Sequence, residues 1–429
     1  MLTTLFVYLA LAAAAPTSPT PASSAPPEYE TVKPISQNLN APIFPVADTS
    51  VVEPEPMRGT LGANILGPQN VPLEHQNPDL LAPPTTDEGI VGNAKWPFTL
   101  STNRLQTGGW ARQQNTVVFP IAKNMAGVNM RLEAGAIREL HWHTTAEWSY
   151  VLKGTTQITA VDTEGRNFVA NVGPGDLWYF PPGCPHSLQG TDPDGTEFLL
   201  VFPDGAFNED ATLLLTDFLS HVPLGVLSKN FGLPPSAFDH VPSQQLYIFP
   251  SQPPTSDAAP EDPYGQVQSP FAYNFSQVPV TPLAGGSVKI ADSRVFNIAT
   301  EIAVAEVTVE PGAMRELHWH PTEDEWAYFI DGYARVTLFQ GSSTANTFDY
   351  EPGDIGYVPS GYGHYVENVG NTTLRYLEVF NTAVYQDVSL SQWLAVTPPA
   401  LVQAHLGWDE ATINQLNKTK PVVVKPYSP

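Results

Sequence analysis

Two nearly identical phrases stand far apart in the chain: Gly135-Ala-Ile-Arg138-Glu-Leu-His141-Trp-His143 and Gly312-Ala-Met-Arg315-Glu-Leu-His318-Trp-His320. A glutamate follows each, Glu147 or Glu325, and then a lone histidine, His186 or His364. His-X-His on a strand sends both imidazoles to one face, because side chains alternate. Three neutral imidazoles and one carboxylate suit Mn, Fe, Zn or Ni, and rule out a thiolate-type site. Four protein ligands leave two positions open on an octahedral metal. A single such histidine is more often structural. Two complete sets, in register with a repeat, point to two metal centres: His141, His143, Glu147 and His186, then His318, His320, Glu325 and His364.

Other residues with chemistry lie close to these sets in sequence. Arg138 and Arg315 each precede the first ligand histidine by three residues, so a bend must turn the guanidinium toward the site. A planar guanidinium there can hold a carboxylate and stabilise developing charge. The alternative is an ion pair with Glu139 or Glu316. Glu209 lies in a loop beyond the first repeat, in a place suited to a mobile lid. Glu378 is a second-site acid/base or a hydrogen-bonded core acid, with Tyr385 as a partner.

The elements that must position these groups are short strands. Thr116–Ile121, Gly127–Leu132, Trp148–Lys153, Thr155–Val161, Leu177–Phe180 and Glu197–Phe202 are β-branched or aromatic and bounded by Gly, Pro and Asp. The second half repeats the pattern at Ile302–Val309, Trp326–Ile330, Ala334–Phe339, Ile355–Val358 and Leu374–Phe380. Evenly spaced short strands indicate a sandwich or barrel. A repeat this long is two whole domains rather than a solenoid. Helical stretches also repeat: Leu215–Leu219 with Leu390–Leu394, and Pro223–Gly232 with Pro398–Gly407. Such appendages often clasp a neighbour, so a homo-oligomer through them is expected. The divisions read from the sequence are a signal peptide (1–15), a Pro/Ala/Ser/Thr-rich disordered arm (16–56), a first domain (57–242) and a second (243–429). Residues 57–107 read as loop wrapping a domain surface.

The net charge of −24 disfavours nucleic acid and anionic membranes as partners. It also means that any anionic substrate needs local cations. The apolar N-terminus is too short to span a bilayer and reads as a secretory signal, so the mature protein is expected outside the cell. Asn274, Asn371 and Asn417 head glycosylation sequons. Cys184 is the single cysteine, so no intrachain disulfide forms. It reads as a small residue in a turn, with an auxiliary ligand role as the alternative.

Segments Gly135–Gly154 and Gly175–His186, with Gly312–Gly332 and Gly353–His364, match both cupin motifs in each half. The chain therefore resembles a bicupin. Arg-Glu-Leu-His-Trp-His in both halves resembles the oxalate decarboxylase and oxalate oxidase bicupins, over about Arg58 to Leu416, and the secreted, fungal-type decarboxylases in particular. The resemblance implies an all-β fold of two tandem double-stranded β-helix (jelly-roll) barrels with short helical appendages. It implies Mn2+ at both sites, dioxygen without net consumption, and oxalate as substrate. It makes Arg138 a substrate and transition-state contact and Glu209 a lid glutamate that oxidases replace. Asn208, Asp210 and Ala211 depart from the serines and asparagine common in that lid. The expected function is extracellular cleavage of oxalate to formate and CO2. The alternatives are an oxalate oxidase giving CO2 and hydrogen peroxide, and a non-enzymatic metal-binding or storage bicupin.

Overall fold

The computed structural model describes residues 34–40 and 53–427. The expected signal segment and most of the expected arm lie outside the described residues.

The β-branched and aromatic runs form two barrels, each of two antiparallel sheets. In the first barrel one sheet runs Ala272–Tyr273, Leu177–Phe180, Glu147–Lys153, Thr196–Phe202, Ala126–Leu132, Gly109–Gln114, Arg104–Gln106. The facing sheet runs Asn167–Val172, Thr156–Val161, His186–Gly190, Ile137–Trp142, Leu213–Leu214, and Ile248–Phe249 also pairs with Ile137–Trp142. The second barrel repeats this plan. Met314–Trp319 and Gly363–Asn368 stand where Ile137–Trp142 and His186–Gly190 stand in the first. Alternating inward side chains such as Ile158, Leu188 and Phe198, or Val336, Leu338 and Tyr376, fill each interior.

The sheets do not follow the division expected at 242/243. Lys95–Pro97, before the first barrel, pairs with Asp354–Val358 of the second. Ala272–Tyr273, before the second barrel, pairs with Leu177–Phe180 of the first. Each barrel thus covers an edge strand of the other half, which satisfies backbone groups that an open edge leaves unpaired. Part of the expected disordered arm is packed. Ile35 is buried beside Ala82, and its N–H donates to the Met57 carbonyl at 2.8 Å. Residues from 57 onward wrap the second barrel: Asp79 N–H donates to Asp349 (2.8 Å), and Thr347 N–H to Asp87 (2.9 Å).

A third core joins the barrels, with Phe98, Phe119, Trp148, Trp326, Tyr357 and Leu377 among its members. This explains one misread strand. Thr116–Ile121 is a turn, because the Asn115 side chain accepts from Val117 N–H at 3.1 Å and its carbonyl accepts from Phe119 N–H at 2.9 Å. Phe119 and Ile121 serve this inter-barrel core instead of a ladder, Phe119 meeting Tyr357 edge-on, while Val117 and Val118 are exposed. At Gly127 a Cβ would sit 2.5 Å from the Trp326 ring, so only glycine allows that approach.

The repeated helices are Leu215–Ser220 with Leu224–Phe231, and Leu390–Val396 with Pro399–Leu406. Gly232 and Gly407 close the longer pair in the left-handed region, at φ 65° and 68°. No described helix is long and apolar enough to cross a membrane.

Candidate metal centres

Antiparallel pairing brings the ligands together. His141 lies directly opposite His186, and His318 opposite His364. Glu147 and Glu325 open the strands on the facing sheets. The ligand atoms of His141, His143, Glu147 and His186 all lie within 4.8 Å of one another, as do those of His318, His320, Glu325 and His364. All eight side chains are buried.

The histidine tautomers are set from behind. Nδ1 donates to a backbone carbonyl in His141 (Glu139, 2.5 Å), His186 (Cys184, 2.9 Å), His318 (Glu316, 2.7 Å), His364 (Tyr362, 3.0 Å) and His320 (Gln386, 2.8 Å). That leaves each Nε2 as a lone-pair donor to the interior. In both centres Nε2 atoms converge on one glutamate oxygen. Glu147 Oε2 is 3.1 and 3.3 Å from His143 and His186; Glu325 Oε2 is 3.1 Å from both His320 and His364. His318 Nε2 is buried without a protein partner. Four converging donors with an orphaned imidazole nitrogen fit a divalent cation of the Mn–Zn group.

Electrostatics agree at His141, His318 and both glutamates. At His320 burial lowers the imidazole, but the hydrogen bond and charge of Glu325 outweigh it and raise it, an attraction that a bound cation would replace. Burial, then Arg138, holds His141 well below its usual range; burial, then Arg315, does the same to His318. Burial would raise the Glu147 carboxyl, but His186 and His143 beside it bring it well below the carboxylate range. Glu325 behaves likewise beside His320 and His364. Neutral imidazole and ionised carboxylate are the ligand forms a metal takes.

The bend required at the arginines is a β-bulge. Between the His141–His186 and Arg138–Leu188 pairs, one strand carries an extra residue, and the same irregularity recurs between His318–His364 and Arg315–Val366. It puts arginine and histidine on one face. The ion pair with the adjacent acid does not form. Glu139 instead accepts from Thr216 N–H (2.7 Å), Leu246 N–H (2.9 Å) and Tyr247 N–H (2.8 Å), and Glu316 binds Ser389 (2.6 Å) and Val422 N–H (3.1 Å). Both acids pin backbone where Tyr247 and Val422 adopt positive φ (57° and 60°).

Arg138 instead meets Glu209. Its Nη2 donates to Glu209 Oε1 at 2.6 Å, and the Tyr247 hydroxyl donates to the same oxygen at 3.1 Å. Glu209 begins a 3-10 turn, Glu209–Ala211, which Asn208 caps by accepting from Asp210 N–H. Its other oxygen, Oε2, is buried without a partner. Phe207, just before the turn, packs edge-on against His143, 5.4 Å between centroids.

Arg315 is held more heavily. It donates to Glu378 (3.3 Å), Asp387 (2.6 Å) and the Tyr385 hydroxyl (3.0 Å). Glu378 is fully buried on the strand Leu374–Phe380, and Tyr376 donates to it at 2.8 Å. Burial raises its carboxyl, opposed by Arg315. Lys420 pairs with Asp387, which burial would raise but Arg315 and Lys420 hold down to about 2.

Four contributors were not singled out from the sequence: Tyr247, Asp387, Gln386 and Lys420. Asp387 was accessible, since the repeat aligns it with Thr212 and so marks a charge present in one half alone. Tyr247 carries no local signal. Cys184 lies outside both ligand groups; burial pushes its thiol up to about 12.

The cupin family model matches residues 101–237 and again 275–414. The oxalate decarboxylase of Bacillus subtilis is 50% identical over 374 residues, covering 87% of this chain and 97% of that one. A probable oxalate decarboxylase of Arthroderma benhamiae is 41% identical, covering 85% and 91%. The solved structure of the B. subtilis enzyme at pH 4.6 superposes with a TM-score of 0.85 at 49% identity, over 87% of this chain and 98% of that one. Another structure of that enzyme was determined in work on its Mn(II) centres. The doubled barrel and the doubled ligand set thus coincide with this likeness over most of both chains, and the chain belongs to the bicupin oxalate decarboxylase family of the cupins.

Proposed function

We propose that this protein is a secreted, manganese-dependent oxalate decarboxylase that converts oxalate to formate and CO2 at its first centre. The observation that carries this is the buried 2.6 Å contact between Arg138 and Glu209 beside the first ligand set. A carboxylate already sits on the guanidinium fork, where a substrate carboxylate is to bind.

Bound Mn2+ would supply a Lewis acid and a redox-active centre at His141, His143, Glu147 and His186. Arg138 orients oxalate through one carboxylate and stabilises charge that develops on it. Oxalate displaces Glu209 from Arg138. Glu209 then takes the proton of the mono-anion and hands it to the carbon left when CO2 departs, so HC2O4− becomes CO2 and HCO2− with atoms and charge balanced. Phe207 and the Glu209 turn keep bulk water from that carbon. Family resemblance supports dioxygen as the second cofactor. In the second centre His318, His320, Glu325 and His364 would hold Mn2+, and Arg315 and Glu378 form a buried network that stabilises it.

Asn274, Asn371 and Asn417 are all exposed, which suits glycosylation on a secretory route. Phe218 and Trp393 stand 57% and 52% exposed at equivalent places on the repeated helices, which suits burial in a homo-oligomer.

The test is protein made in Mn-rich medium and given oxalate, with formate, peroxide and bound metal measured. The proposal expects two Mn per chain and formate well above peroxide. Peroxide as the main product selects the oxidase reading; activity without metal defeats the metalloenzyme reading altogether.

A further inference from the structure

Outside the Glu209 turn lies a cavity of about 380 Å³, lined by Arg104, Arg112, Gln113, Glu209, Asp210 and Tyr247. Two cations at one mouth are notable on a chain of net charge −24 with 19 Lys and Arg. Arg112 forms no ion pair among the described residues. Its Nε donates to Asn129 at 3.0 Å, and its guanidinium lies 5.2 Å from the Trp110 ring. Arg104 has one carboxylate partner, Asp210, at 2.8 Å, and Asp210 is the residue after Glu209. That pair is exposed, 27% for Arg104 and 67% for Asp210, so solvent and ions compete for it.

Tyr247 connects this mouth to the centre. Arg104 lies 3.6 Å and Arg138 4.2 Å from its ring centroid, and its hydroxyl donates to Glu209. Arg104 is partly exposed and Arg138 is 1% exposed. One aromatic ring therefore carries an outer and an inner arginine. Both arginines are tied to adjacent residues of the same turn, Arg104 to Asp210 and Arg138 to Glu209.

The geometry points to an outer binding station for small dicarboxylates at Arg104 and Arg112, which also operates the turn. A carboxylate entering the station takes Arg104 from Asp210. With that tether gone, the turn is held by Glu209 on Arg138 and by Gln113, which accepts from Glu209 N–H at 2.9 Å and donates to Asn208 at 3.1 Å. At its base it is held by Asn115, which donates to the Phe207 carbonyl at 3.0 Å. The turn then opens, and the anion passes along Tyr247 to Arg138. A guanidinium matches a carboxylate with two parallel hydrogen bonds, so the exchange replaces one charge-assisted contact with a better one. The station rests on reading Glu209 as the gate to the centre, but its occupancy can be read without turnover.

Hydrogen exchange of residues 207–212 in the Mn-loaded full chain is the readout, with malonate as a non-reacting probe. Malonate is expected to speed exchange there about threefold or more, as a shift toward the open turn requires. Sodium chloride at equal ionic strength is expected to do much less. In Arg112→Gln the malonate response should move to about tenfold higher concentration, with Arg112→Lys restoring most of it. In Asp210→Asn the turn should exchange fast without malonate. No response in wild type, the same response to chloride, or an unshifted response in Arg112→Gln overturns the station. Formate acting at lower concentration than malonate assigns the site to product and overturns the entry role. Failure of Glu209→Ala to impair turnover would defeat the catalytic reading while leaving this exchange measurement to stand or fall alone.

Discussion

The two centres share a ligand set and differ in how their arginines are held. At the first, Arg138 has one carboxylate partner, Glu209, carried on a short 3-10 turn beside a solvent cavity. At the second, Arg315 has two, Glu378 and Asp387, with Tyr385 as a third acceptor. Glu378 belongs to a central barrel strand, and Lys420 clamps Asp387. The ligand histidines repeat the contrast. His320 Nδ1 donates to the Gln386 carbonyl, whereas His143 Nδ1 is buried without a protein partner. Chain past the second barrel hydrogen-bonds a ligand histidine directly, through Gln386 to His320. Chain past the first reaches Arg138 through Glu209 but meets the matching His143 only by packing of Phe207. The ligand set is repeated whole, while the arginine beside it rests on one carboxylate of a short turn at the first centre and on two carboxylates at the second.

Breaking the arginines should expose that difference in stability first. Arg315→Met leaves Glu378 buried without its cation and Asp387 with Lys420 alone, and should cost about 3–5 kcal/mol. Arg138→Met should cost less, because Glu209 can swing into solvent with its turn. Thermal or denaturant unfolding of both variants checks this, and equal losses would erase the distinction drawn between the centres.

Activity against pH comes next. Oxalate as a dianion meets a chain carrying 43 Asp and Glu against 19 Lys and Arg. Acid converts substrate to the mono-anion and neutralises part of that surface. Therefore kcat/KM should fall severalfold between about pH 4 and pH 7, within the range where carboxylates ionise. Added salt should restore only part of the loss, since screening beyond roughly 8–10 Å leaves substrate protonation unchanged. A flat profile contradicts this.

The smallest effect concerns the strap on the second barrel. Asp349 is buried against Asp79, with Arg58 and Arg335 also paired to Asp79. Burial, then the Asp79 charge, pushes the Asp349 carboxyl well above its usual range, with Lys95 opposing. A carboxyl raised on folding gives stability that is complete below the unfolded aspartate range and lost as pH rises through the folded value. Unfolding should therefore become easier toward neutral pH, and Asp349→Asn should flatten that slope. An unchanged slope in the variant would move the linkage to another group.

Much of this was legible in the sequence. The repeated nonapeptide, the His-X-His alternation and the Gly/Pro hairpins determine the ligand sets, because alternation and turn chemistry are local. The need for a bend at Arg138 was also legible, since three residues is an odd offset; the bulge that supplies it depends on the opposing strand. The run Thr116–Ile121 imitates a strand in part because Phe119 and Ile121 fill an inter-barrel core that asks for the same residues as a sheet interior; its valines are exposed on a turn. The exchange of Lys95–Pro97 and Ala272–Tyr273 between barrels left no trace in short segments lacking alternation. Tyr247 lies 38 residues from Glu209, and only the fold joins them.

The most direct test is formate production by Glu209→Ala beside Glu378→Ala, each loaded with Mn. If the first centre does the chemistry, Glu209→Ala loses about 10²-fold or more of its rate, as expected for removing an acid–base group, with Mn content unchanged. Glu378→Ala should act mainly through stability. Near-normal formate from Glu209→Ala, with none from folded Glu378→Ala, would place catalysis at the second centre and contradict the account.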